Sequence, residues 1–138
     1  MNQEVENLLN ALADAERAGG RVLHELTPMA SNPELRAMLK KVGHDEGYYA
    51  GELLAHTRRL GGNPSNKTGD FVEKVRAVPD FIGKLKLLNR GQSWVVRKIR
   101  EGIPNIGDDE LKGFLLAMAA GHEMSIGALD RMLEAGAN

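Results

Sequence analysis

The chain has 138 residues, a mass of 15.0 kDa, a formal net charge of −1, a pI near 6.4 and no cysteine. That length suits one domain over 1–138 with a sizeable buried core. The near-zero charge excludes a global pull toward nucleic acid or anionic lipid, and the missing cysteines exclude disulfides, thiolate metal sites and cysteine nucleophiles. No apolar run approaches the ~20 residues of a membrane span. The N-terminal Met-Asn-Gln-Glu-Val-Glu is not a signal peptide, so a cytoplasmic location is the expectation.

Residues 3–27 read as the first helix. Val5, Leu9, Leu12, Glu16, Gly19, Leu23 and Leu26 recur at alternating steps of four and three, the pattern of one packed helix face. Glu16 interrupts that face at mid-length. Pro28 and Ala30-Ser31-Asn32 break the helix, and Asn32-Pro33-Glu34 restarts the chain with a cap residue, a proline at the first helical position and an acid in the first turn.

The second helix is predicted over about 33–60, with Leu35, Leu39, Val42, Glu46, Tyr49, Leu53, His56 and Leu60 on its apolar face; Gly61-Gly62-Asn63-Pro64 ends it. The short break before it makes the first two helices antiparallel neighbours. A loop follows, then a short helix over 70–78 that buries Phe71, Val72 and Val75. A connection this long spans the height of a bundle, so the third long helix, about 80–102, can run parallel to the second. Its face carries Phe81, Leu85, Leu88, Gln92, Val95 and Ile99.

Pro104 stops that helix and Asp108-Asp109-Glu110 opens the fourth, with Leu111, Leu115, Met118, His122, Ser125, Leu129 and Met132 inward. No stretch alternates with period two, so no sheet is expected. The fold class is all-α: a four-helix bundle of two antiparallel hairpins joined by a long crossover containing a short helix.

Each long helix thus places one polar residue at a matching position in its apolar face: Glu16, Glu46, Gln92 and His122. Counted from the helix ends, all four fall near one height, since 13 residues carry a helix about 20 Å. The separation from Glu16 to Glu46 is 30 residues, and so is that from Gln92 to His122, as two hairpins related by an approximate two-fold would give. Gly19, Gly47, Gly91 and Gly121 cluster at the same level, in a chain with 16 glycines.

These residues resemble the ferritin-like superfamily across essentially the whole chain. Ala15-Glu16-Arg17-Ala18-Gly19, Asp45-Glu46-Gly47-Tyr48-Tyr49 and Asn89-Arg90-Gly91-Gln92-Ser93-Trp94 are most similar to a bacterial branch of it designated a domain of unknown function. In di-iron members each half supplies a Glu from one helix and Glu-x-x-His from the next. Against that pattern Glu16 and Glu46 match, and Tyr49 stands where the first histidine belongs. Gln92 replaces the Glu of the second half, while Ala119-Ala120-Gly121-His122 keeps the histidine without its carboxylate. Aligned by the 30-residue repeat, His122 stands in the carboxylate's place and Ser125 in the histidine's. At most three of six ligands survive, which argues against a dinuclear oxygen-activating centre.

Two readings stay open. Glu16, Glu46 and His122, completed by Gln92 or water, suit one Fe, Mn or Zn ion with positions left for a small ligand. Alternatively, the layer is a closed hydrogen-bond network in a non-enzymatic structural or interaction protein, with the Tyr49 hydroxyl donating to Glu16 or Glu46 and a protonated His122 neutralising a carboxylate. His56 reads as a cation at its helix C-terminus, and His24 and His44 lie off the apolar face. The basic run Lys84, Lys86, Arg90, Arg97, Lys98 and Arg100 reads as a solvated face rather than a nucleic-acid surface. A homodimer through an apolar helix face is the expected assembly.

Overall fold

Four residues that begin the long helices explain where those helices start. Asn2, Asn32, Asp80 and Asp108 are all in extended backbone, and each side-chain oxygen accepts a first-turn N–H, from Glu4, Leu35, Gly83 and Leu111 respectively. The computed structural model describes residues 1–138. The long helices are α1 (Gln3–Leu26), α2 (Pro33–Arg59), α4 (Phe81–Gly102) and α5 (Asp109–Glu134), with a short α3 (Phe71–Ala77) in the crossover and single 3-10 turns at Thr27–Met29 and Ile103–Asn105. There are no strands.

The helices pack α1 on α2, α2 on α5, α5 on α4 and α4 on α1. Side-chain contacts fix their directions. Asn10 near the start of α1 bonds Asn63 beyond the end of α2, and Arg59 at the end of α2 meets Asp108 at the start of α5. Asn89 and Gln92 on α4 meet Ile126 and His122 on α5 in reversed order. Neighbours are therefore antiparallel, and the crossover makes α2 and α4 parallel, as the loop length allows.

The crossover is held by α1. Arg17 donates to the carbonyls of Ser65 and Lys67, and Asn10 both donates to the Asn63 carbonyl and accepts from the Ser65 N–H. Val72 and Val75 of α3 are buried as the sequence predicts, and Phe71 is half-buried.

Two apolar clusters make the core. One, of 13 buried residues, runs from Ala18, Leu26 and Leu35 to Leu88 and Leu129; the other, of 12, runs from Val5 and Leu12 to Leu53, Ile99 and Met118. On all four long helices the break between them falls at the same place: Glu16, Glu46, Gln92 and His122. The polar layer is thus a floor dividing the core into two halves.

Candidate metal centre

The four polar residues are 1%, 2%, 3% and 2% exposed for Glu16, Glu46, Gln92 and His122. Burial at that level requires partners, because an ion taken out of water costs several kcal/mol unless it is compensated. The partners can be traced from a fixed point. The main-chain carbonyl of Ile126 only accepts, so it orients the Asn89 amide, whose Nδ2 donates to it at 3.1 Å and to Asp130 Oδ1 at 2.8 Å. Asn89 Oδ1 is then left to accept from Gln92 Nε2 at 3.0 Å. Gln92 Oε1 in turn accepts from His122 Nδ1 at 3.0 Å.

The direction of that relay decides the tautomer of His122. Nδ1 carries hydrogen, and Nε2 faces the carboxylates. Nε2 lies 2.5 Å from Glu16 Oε1 and 3.7 Å from Glu46 Oε2. Two lone pairs do not face each other at 2.5 Å, so a proton belongs between them at this separation, and an ion held by both atoms would part them to roughly 3.3 Å. This is also how metal-binding histidines are held: one ring nitrogen is fixed by an outer hydrogen bond and the other is aimed at the ion.

Glu46 is the unbalanced member. Its Oε2 is buried and has no hydrogen-bond partner. Glu16, by contrast, has His122. Burial raises the Glu16 carboxyl above its ordinary value, and the hydrogen bond and charge of His122 pull it part of the way back. One ligand atom from each of Glu16, Glu46 and His122 lies within 4.8 Å of the other two. Ligand atoms around a tetrahedral ion stand roughly 3.3 Å apart, inside the range that these three span. The donor set, two carboxylate oxygens and an imidazole nitrogen, is one that divalent transition metals accept.

Gln92 stands in the hydrogen-bond network rather than among the ligand atoms, and Tyr49 stands in neither. Gln92 sits behind His122, with its oxygen committed to Nδ1 and its nitrogen to Asn89. The Tyr49 hydroxyl bonds neither carboxylate. It fills the space that a side chain at Gly121 would take. Its ring lies 5.3 Å from the His122 ring and 6.3 Å from Phe114. Burial, with Asp45 and Glu16 nearby, raises its hydroxyl above its ordinary value. Tyr49 therefore walls the imidazole without neutralising the site.

The remaining candidates fall outside. His56 is buried, and its Nδ1 accepts from Arg59 Nη2 at 3.0 Å, so it is engaged away from the centre; Arg58 and Arg59 share its last helical turn. His24 and His44 are exposed. Along the basic face of α4, Lys84 donates to the carbonyls of Val75 and Arg76, Arg97 and Lys98 pair with Glu101, and Arg100 pairs with Glu123. These charges are spent within the molecule. Asn89 is the site residue that periodicity missed: it lies three residues before Gln92, a spacing that places both on neighbouring turns of one face.

Fold and centre together define an all-helical bundle protein with a buried Glu/Glu/His cluster able to coordinate a metal ion. The chain belongs to the family described as domain of unknown function (DUF6306), whose model matches residues 3–131. Neither the curated proteins nor the solved structures contain a match to it.

Proposed function

We propose that the protein is a ferritin-like bundle with a degenerate di-iron site that binds one divalent ion, Fe(II), Mn(II) or Zn(II), through Glu16, Glu46 and His122 Nε2. The unpartnered Glu46 Oε2 carries this reading. A purely structural layer has no use for a buried oxygen without a donor, whereas a bivalent cation compensates both carboxylates together. The bundle motif of a Glu from one helix and another from the next supports it, and so does the outer relay through Gln92 and Asn89 to the Ile126 carbonyl.

A bound ion would supply Lewis acidity and open positions for a small ligand. The chain's own residues would hold the imidazole in the required tautomer and press the Tyr49 ring beside His122. The competing reading, a structural protein, draws on the 2.5 Å approach of His122 Nε2 to Glu16 Oε1, which suits a shared proton.

Elemental analysis separates the two. Protein purified under metal-replete conditions is expected to carry about one ion per chain. Glu46→Gln is expected to lose it while keeping the helical circular dichroism and the melting of the metal-free wild type. Metal-free wild-type protein, or undiminished metal in Glu46→Gln, would sink the proposal.

A further inference from the structure

A cavity of ≈ 490 Å³ lies between α1, α4 and the start of α3, and Glu16, Glu46 and Gln92 line it. It connects the metal centre with the surface and is within the size range of small-molecule sites. Ala15 on α1 is small, and the missing side chain at Gly91 on α4 is what admits the Phe71 ring, which a Cβ there would meet at 2.8 Å; Phe71, Leu87 and Trp94 give the cavity apolar walls. Two of the chain's six aromatic residues stand at this one opening.

The charges around the mouth are not balanced. Apart from the two buried glutamates, four charged side chains line the cavity: Asp14, Asp70, Lys74 and Arg90. Asp14 is paired with Arg17, and Lys74 lies 3.5 Å from Asp70. Arg90 is exposed and joins none of the molecule's ion pairs. Its planar fork is suited to a carboxylate.

From this arrangement we infer that the cavity binds a small aromatic monocarboxylic acid, with its ring among Phe71, Leu87 and Trp94 and its carboxylate on Arg90. The inference rests on the metal reading in one respect. A divalent ion between Glu16 and Glu46 makes the cavity floor nearly neutral and lets it accept an apolar group, whereas the bare carboxylates would favour a cation. Aromatic faces at the wall favour an aromatic body over an aliphatic one.

Trp94 is the only tryptophan, so its emission reports directly on the cavity. The full chain loaded with Zn(II) is titrated with 4-phenylbutyrate and, separately, with 4-phenylbutylamine, which has the same skeleton and the opposite charge. The acid is expected to change Trp94 emission saturably at roughly submillimolar concentration, with the amine at least about tenfold weaker. Arg90→Gln is expected to weaken the acid about tenfold and remove the preference, and Arg90→Lys to restore part of it. Arg90 is exposed, so its replacement leaves the core untouched. Equal binding of acid and amine, or an unchanged Arg90→Gln, would overturn the inference. Metal content measured on the same samples keeps the two questions apart. Protein that holds metal without discriminating the probes loses only the carboxylate inference, and protein that holds no metal loses the metal reading and this one with it.

Discussion

A Cβ built on Gly19 would lie 2.7 Å from Glu46 Oε1, too close for any real contact. The absence of a side chain at 19 is what lets the Glu46 carboxylate reach the level of Glu16, one turn earlier on α1. Gly19→Ala should therefore act in two directions. It gains up to ~1 kcal/mol of helix propensity, and it pushes Glu46 away from its position. The expected result is a melting temperature near that of the wild type, with metal affinity about tenfold lower or worse. Competition with a chromophoric chelator measures it. Unchanged affinity would mean that Glu46 is not placed by this close approach. Of the residues at this level, Glu16, Glu46, Gln92 and His122 were legible because each breaks an apolar period. Asn89 was not, because on a basic helix it reads as surface, and only the Ile126 carbonyl and Asp130, 37 and 41 residues away in the chain, give it a role. Tyr49 shows the opposite limit: periodicity placed its Cα on the right face, but the gap at Gly121, a tertiary feature, decided where the hydroxyl went.

The elements themselves were readable because local signals agreed. Caps at Asn32, Asp80 and Asp108, and the proline at the start of α2, coincide with the onset of each apolar period. Asp108 does more than cap. Its carboxylate accepts the Leu111 N–H at 2.8 Å and receives Arg59 from the end of α2 at 2.8 Å, tying two antiparallel helices together. The Arg59 hydrogen bond, followed by the Leu111 N–H, lowers its pKa from 3.8 to about 2. Because the folded value is depressed, this contribution is complete above pH 3.8 and is lost as the pH falls toward 2. Asp108→Asn keeps an acceptor for the cap and discards the charge. Denaturation midpoints measured between about pH 5 and pH 2 should then fall less steeply in the variant than in the wild type. Parallel slopes would show that another carboxylate governs the acid limb.

At the scale of the whole molecule, the polar floor is costly and lies in the middle of the core. It separates apolar clusters of 13 and 12 buried residues that would otherwise be continuous. The equal 30-residue spacings make its frame symmetric, yet its chemistry is not: the α1–α2 hairpin supplies two carboxylates, and the α4–α5 hairpin an amide and an imidazole. Symmetry in position with asymmetry in donors is what a site for one ion needs, with acids on one side and an oriented nitrogen on the other. If the floor is kept for binding, the fold should be better off without it. Replacing a buried ionic group by apolar residues of similar size is often neutral or stabilising by about 1–4 kcal/mol, whereas removing a single partner costs about 3–5 kcal/mol. The combined variant Glu16→Leu, Glu46→Leu, Gln92→Leu and His122→Leu should thus remain helical, melt several degrees above the metal-free wild type and bind no metal. His122→Ala alone, which leaves two buried carboxylates facing each other, should melt well below it. Thermal unfolding followed by circular dichroism in the presence of chelator tests both. A four-leucine variant that unfolds at lower temperature than metal-free wild type would show that the layer holds the two hairpins in register through its hydrogen bonds, and that stability rather than binding accounts for its burial.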